Sequence, residues 1–300
     1  MKPSKGESLY EKSLPYLLLL PSFVIGGVVL VYPLLNGIVL GFTSYTLFVP
    51  QYQWVGFQNF RLLFSDPVYW EIVFNSLFII FLSVVIQLIF GLGMALLLNR
   101  KILFRQFFRG LVFVIWIIPM VIVALLWMII YNGDFGILNF ILRKVTLLGE
   151  GKIIRWLGHV WYSKFAMIIT YGWRGIPFFM VMSLAAMQTI PGDIVDSATI
   201  DGANSVQRFH LIILPFIKNI LLLSGLLSIV RLFQDITLMF VQTQGGPLYS
   251  TTTLALHVYK EAFVSLQMSK AAAIGVTWLV FLFVLAFFYV RMIAKSEFIR

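Results

Sequence analysis

Three hundred residues carry a formal net charge of +10, 60% hydrophobic side chains, only 11% charged ones and a mean hydropathy of +0.95. Soluble domains run near about 45–50% apolar and about 25% charged, so the composition excludes an ordinary soluble enzyme and predicts an all-α, polytopic membrane protein. The absence of cysteine excludes disulfides, thiolate metal sites and palmitoyl anchoring. The basic excess forms no run and no aromatic–basic platform, so nucleic acid is not an expected partner.

The first apolar run is 14–42, after a tail that mixes Lys2, Lys5 and Lys12 with Glu7 and Glu11. It is too long for a signal-peptide core and no small-residue cleavage site follows, so it reads as a retained first span. At that length it must tilt or kink, and Pro21 and Pro33 mark the places. Residues 43–71 form a loop rich in aromatic residues (Tyr45, Phe48, Tyr52, Trp54, Phe57, Phe60, Tyr69, Trp70) that suit an interfacial belt. The second span is 72–98; its Asn75, Ser76, Ser83 and Gln87 need partners on neighbouring helices, and Gly91-Leu-Gly93 allows close approach.

Arg100, Lys101, Arg105 and Arg109 in the short segment 99–109 give the strongest positive-inside signal in the chain. The third span is 110–131, with Pro119 inside it. A longer loop, 132–164, holds the amphipathic piece 135–142; its five basic residues weigh against the orientation that the 99–109 segment sets. The fourth span, 165–186, is predicted to break near its middle at Trp173-Arg174-Gly175-Ile176-Pro177. A fifth span covers 220–241, a turn follows at Thr243-Gln-Gly-Gly-Pro247, and 248–269 is an external loop or a partly sunken helix. The sixth span is 271–292.

Between the fourth and fifth spans lies a polar stretch bounded by Pro191 and Pro215. Pro191 and Asp193 start a short helix, Asp201-Gly202 supplies a turn, and Asp201 or Asn204 caps a second helix. Ile194, Val195 and Ala198 recur at helical spacing as a small apolar knob, while Asp193 and Asp196 stay wet. Such a knob suits a groove on another protein.

These residues carry a resemblance. The run Asp196-Ser197-Ala198, three residues, Gly202, nine residues, Ile212-Ile213-Leu214-Pro215 is similar in spacing to the Glu-Ala-Ala, Gly, Ile-x-Leu-Pro signature of the membrane subunits of binding-protein-dependent ABC importers. Asp196 and Ser197 depart from that signature; the glycine and the proline do not move. Trp54-Val-Gly-Phe-Gln-Asn-Phe60, Gly136-Ile-Leu-Asn139, Met187-Gln-Thr-Ile-Pro191 and Gln244-Gly-Gly-Pro247 look like the same family's connecting segments, in its order. The closest style is that of carbohydrate permeases of the maltose and glycerol-phosphate type.

The resemblance implies a type I ABC importer permease fold with six transmembrane helices in a bacterial or archaeal cytoplasmic membrane, both termini inside. It implies a tail, first helix and external loop over 1–71, a five-helix core over 72–292 and a short tail over 293–300. Within the core a coupling loop at about 189–219 would dock on an ATPase through Asp193, Ile194, Val195, Asp196, Ala198, Asp201, Gly202, Ala203, Leu214 and Pro215. The implied partners are a second permease, two ATPase subunits that bind ATP and Mg, an extracytoplasmic solute-binding protein, membrane lipid and a sugar-like substrate. This chain would bind no cofactor.

Two places inside the spans suit a solute path. Arg231, Gln234 and Asp235 put donors and acceptors close together, with Arg231 and Asp235 four residues apart on one helical face; a cargo site and a self-satisfied structural pair both fit. Trp173 and Arg174 add an aromatic face and a charge. Catalysis has no foothold: His159, His210 and His257 lie apart, and neither HExxH nor GxxxxGK[ST] occurs. An ion-coupled secondary transporter is the main rival, but it calls for paired intramembrane carboxylates and Asp235 stands alone. A membrane-embedded transferase would need Asp193, Asp196 and Asp201 as a metal cluster, and they lack a basic phosphate grip.

Overall fold

The computed structural model describes residues 9–48, 53–100, 102–145 and 152–297; Tyr52, Lys101, Lys2, Lys5 and Glu7, named above, lie outside them. The described residues are helical apart from loops and one isolated bridge between Thr43 and Trp54. In chain order the helices are α1 (Leu9–Gly26), α2 (Tyr32–Leu40), α3 (Gln58–Ser65), α4 (Pro67–Asn99), α5 (Arg105–Ile117), α6 (Met120–Ile130) and α7 (Ile137–Lys144). Then come α8 (Val160–Met187), α9 (Gly192–Ile200), α10 (Ser205–Arg208), α11 (Leu214–Gln234), α12 (Thr237–Thr243), α13 (Leu254–Phe263) and α14 (Met268–Glu297). Two π-helical turns, Gly27–Val31 and Phe209–Ile213, join α1 to α2 and α10 to α11.

Five helical runs among the described residues are long and apolar enough to cross a bilayer: Ser13–Leu40, Pro67–Asn99, Val160–Met187, Ser205–Gln234 and Met268–Arg291. Helices α5 and α6 make the sixth as a broken span, bent by 96°.

Proline chemistry explains the breaks. Each π-turn comes directly before a proline at the second position of the next helix, Pro33 or Pro215. A proline clashes with the carbonyl four residues back, and the wider turn, closed by Tyr32 N donating to Gly27 O and Leu214 N to Phe209 O, relieves it. At Pro119 the residue before it, Ile118, is forced to an extended ψ of 127°, so α5 ends and α6 begins afresh at Met120.

Pro177 behaves otherwise. The expected break of the fourth span does not occur: α8 runs unbroken from Val160 to Met187, because it is the most buried of the spans and packing on its neighbours holds the backbone together. The fifth span breaks instead, at Asp235, where φ and ψ of −81° and 122° end α11 before α12 starts.

The chain forms two compact units. The smaller combines the described part of Met1–Ser65 with Val258–Trp278. Its centre is Phe42, stacked on Trp54 and flanked by Phe57 and Phe60. Asn59 donates to the carbonyls of Gly41 and Thr43, and the Ser269 hydroxyl meets Thr43 Oγ1 and the Tyr45 amide. The motif 54–60 thus closes this unit.

The larger unit, the described part of Asp66–His257 with that of Leu279–Arg300, is built on the pairing of α4 with α8. Asp66 caps α4 by accepting from Val68 N at 2.9 Å. Small residues then let the two backbones close: a Cβ at Gly91 would stand 2.4 Å from Phe179 Cβ, and one at Gly172 would stand 2.5 Å from Ile86 Cγ2. The polar residues of α4 face inward with partners, as expected. Asn75 donates to Tyr249 O, Ser76 accepts from Leu254 N, Ser83 donates to Ile79 O, and Gln87 donates to Tyr171 O.

Farther along, buried Asn139 donates to Gly133 O and Ile154 O and accepts from Trp156 Nε1, which organises the loop around α7. Gln242 of α12 donates to Ala124 O of α6.

Gly93, unlike Gly91, has open space around it. Gly91→Ala is therefore expected to lower stability by about 1–3 kcal/mol through overpacking, while Gly93→Ala is neutral or mildly stabilising. Thermal loss of the monodisperse peak, followed by size-exclusion chromatography of both variants, checks this.

Candidate functional site

A cavity of about 370 Å³ opens where α4, α6, α8 and α11 converge, lined by Gln87, Met120, Tyr171, Arg174, Gly175, Arg231, Leu232, Gln234 and Asp235. The break at Pro119 brings Met120 to it. Tyr171, Arg174 and Gly175 stand three and four residues apart, one face of α8. Gly175 admits Gln87: a Cβ there would come within 2.1 Å of the Gln87 amide carbon. The Gln87 side chain, 1% exposed, is held at both ends, donating to Tyr171 O at 3.0 Å and accepting from Ser228 Oγ at 2.6 Å.

Charged groups are placed with equal definition. The Arg231 guanidinium lies over Phe178 at 5.1 Å and over Trp116 at 5.9 Å, two rings that stack on each other. Arg231 and Gln234 stay exposed in the single chain, and Arg174 is half-buried with its Nε lacking a hydrogen-bond partner. Asp235 is not on one helical face with Arg231, because α11 ends at Gln234. Its Oδ1 instead accepts from Thr237 N at 2.7 Å, pinning the start of α12, and the carboxylate lies beside the Tyr171 hydroxyl.

Of the residues singled out in the sequence, Arg174, Arg231, Gln234 and Asp235 meet in this cavity. Trp173 does not line it; its ring packs edge-on against Trp127. Gln87, Tyr171 and Gly175 join them unforeseen as cavity residues. The 171, 174, 175 spacing carried the signal for two of them.

The second place is the polar stretch after α8. Pro191 opens α9 with Asp193 in the first turn. A Schellman end closes it, with Gly202 N donating to Thr199 O and Ala203 N to Ala198 O. Gly202 has φ +83°, a left-handed conformation that glycine adopts without cost. Asn204, rather than Asp201, caps the next helix: it accepts from Gln207 N while Gln207 Oε1 accepts from Asn204 N, a reciprocal capping box. Arg208 reaches back to Thr199 Oγ1 at 2.6 Å, tying α10 to α9.

The apolar knob differs in membership. Val195 and Ala198 are half-buried, with Val195 turned toward the end of α4, whereas Ile194, Val206 and above all Ile200, 86% exposed, face outward. Asp193, Asp196 and Asp201 are exposed, as expected. Leu214 and Pro215 belong to the first turn of α11, and Leu214 packs against the cluster of Ala95, Leu98, Met180 and Ile217.

An unbroken α4–α8 pair, a broken span and an exposed helix–turn–helix define a polytopic membrane protein. Residues 87–296 match the family described as binding-protein-dependent transport system inner membrane component, and the chain belongs to that family. It is 32% identical over 246 residues, 82% of each chain, to the trehalose/maltose transport system permease protein MalF of Thermococcus litoralis. It is 28% identical over 291 residues to the sulfoquinovosyl glycerol transport system permease protein SmoG of Agrobacterium fabrum, covering 96% of this chain and 93% of that one. Its fold matches a bacterial ABC transporter involved in the import of the acidic polysaccharide alginate, with a TM-score of 0.81 at 21% identity over 96% of each chain. That transporter is also solved in complex with an alginate pentasaccharide-bound periplasmic protein.

Loss of the capping box through Asn204→Ala is expected to cost the loop about 1 kcal/mol and to speed amide exchange at Gln207 about fivefold. At Gly202, Asn is tolerated and Val is not, since Val resists positive φ. Hydrogen exchange of the 198–208 amides in the two variants distinguishes them.

Proposed function

We propose that this chain forms half of the translocation pathway of an ATP-driven importer for a sugar or related polyhydroxy solute. The cavity carries the reading: Gln234, Arg174 and Arg231 supply donors, and Gln234 and Asp235 supply acceptors, on a wall left open in the single chain. Such a set suits a ligand covered in hydroxyls. The relatives named for trehalose/maltose and sulfoquinovosyl glycerol transport support a sugar-like cargo.

A second permease supplies the opposite wall. Two ATPase subunits bind ATP and Mg, and an extracytoplasmic binding protein delivers the solute; the alginate transporter, solved in complex with an alginate pentasaccharide-bound periplasmic protein, supports such a partner. Both termini face the cytoplasm, as the basic residues of 99–109 favour. The α9–α10 segment, through Ile194, Ile200 and Gly202 with the exposed aspartates, docks on the ATPase. Closure of the ATPases then remakes the cavity, since directional transport needs different affinity in the two states. An ion-coupled mechanism is less well supported, because it calls for paired intramembrane carboxylates and Asp235 is the one carboxylate in the cavity lining.

Two experiments test the reading. Gly202→Asp, which adds charge and strain at the docking turn, is expected to abolish uptake while leaving the membrane chain folded; full uptake with an intact ATPase complex would remove the docking role. Asp235→Asn keeps an acceptor for Thr237 N and Asp235→Ala does not. A cargo role predicts that both variants change solute affinity in reconstituted vesicles, whereas a purely structural role predicts a defect in the alanine variant alone.

A further inference from the structure

Resting on the importer reading, we infer that the cargo is an acidic sugar derivative, a saccharide bearing a carboxylate, sulfonate or phosphate, held by Arg231 and Arg174. The charge balance of the cavity is the starting point. Its lining contains two guanidinium groups and one carboxylate, so this wall carries a net charge of +1. An uncompensated charge at membrane depth is costly unless a ligand, water or partner of opposite sign meets it.

The carboxylate does not neutralise the pair by contact. Asp235 spends Oδ1 on Thr237 N and stands beside the Tyr171 hydroxyl, and neither arginine forms an ion pair with it among the described residues. Both arginines line the same cavity, so an anion within it would meet two positive charges.

The donor chemistry favours an oxyanion over a neutral hydroxyl. Arg231 lies over the rings of Phe178 and Trp116, and its guanidinium carries its N–H donors in a planar fork. Those donors match the two oxygens of a carboxylate, or two of a sulfonate or phosphate, as a fork. Arg174 adds the second charge from α8. The neutral amide of Gln234 remains for sugar hydroxyls. The volume, about 370 Å³, falls in the range of small-molecule sites and admits a sugar-sized solute.

The test is solute profiling with the native importer, purified with its partners and reconstituted into vesicles with its binding protein. The probe is a mixture of neutral oligosaccharides and their uronate, sulfonate and phosphate counterparts. ATP-dependent accumulation is read by mass spectrometry of the vesicle lumen. The expected result is accumulation of an acidic species, with Arg231→Gln lowering its kcat/KM about tenfold to a hundredfold, the worth of one charge-assisted contact. Arg231→Lys, which keeps the charge but loses the fork, restores only part of it. Accumulation of neutral saccharides with the acidic ones excluded overturns the acidic assignment and leaves the importer reading standing. Accumulation of no saccharide of either kind, with ATPase activity intact, overturns the sugar reading itself and this assignment with it. Equal uptake of an acidic cargo by wild type and both Arg231 variants removes the arginine from the site.

Discussion

The larger unit depends on one constraint: a glutamine in the middle of an apolar 33-residue helix must find partners for both ends of its amide. Gln87 finds them in the Tyr171 carbonyl and the Ser228 hydroxyl, and in doing so it links α4, α8 and α11 at one point. Unpaired, that amide would cost several kcal/mol in a hydrocarbon setting. Gly175 is the complementary requirement, since any side chain there would occupy the volume that the amide fills. The cavity lies beside this junction because the junction holds three spans at fixed separation.

Around that point the prolines act by context rather than by presence. Pro119 divides a span, Pro33 and Pro215 each follow a π-turn, and Pro177 leaves α8 unbroken. The differences follow from what surrounds each one. Packing along α4 outweighs the single hydrogen bond lost at Pro177, whereas the Ile118–Pro119 step lies on a sparsely buried segment free to turn. The break that the fourth span lacks appears in the fifth, where Asp235 supplies its own turn. Asp235 thereby has a structural task and a place in the cavity wall, so the cargo and self-satisfied readings of this residue do not exclude each other.

The exposed helix–turn–helix shows the opposite economy. Its internal bonds, the Schellman end at Gly202, the Asn204–Gln207 box and the Arg208–Thr199 contact, are all local. A segment stabilised this way holds its shape while presenting Ile194 and Ile200 outward. That arrangement suits a proposed docking element, which must transmit a push without deforming.

The membrane class, the approximate spans, the inward face of α4, the turn at Gly202 and four of the cavity residues were determined by the sequence alone. Each rests on local chemistry: hydropathy sets the spans, polar groups in an apolar run demand partners, and an Asp-Gly pair with a capping asparagine specifies its own turn. Tertiary structure decided that Pro177 leaves its helix unbroken, that Trp173 packs on Trp127 rather than into the cavity, and that Val195 turns inward while Ile200 faces out. These are outcomes of packing between segments far apart in the chain. Helical spacing fixes which residues share a face, but only the neighbouring helices decide which face is buried.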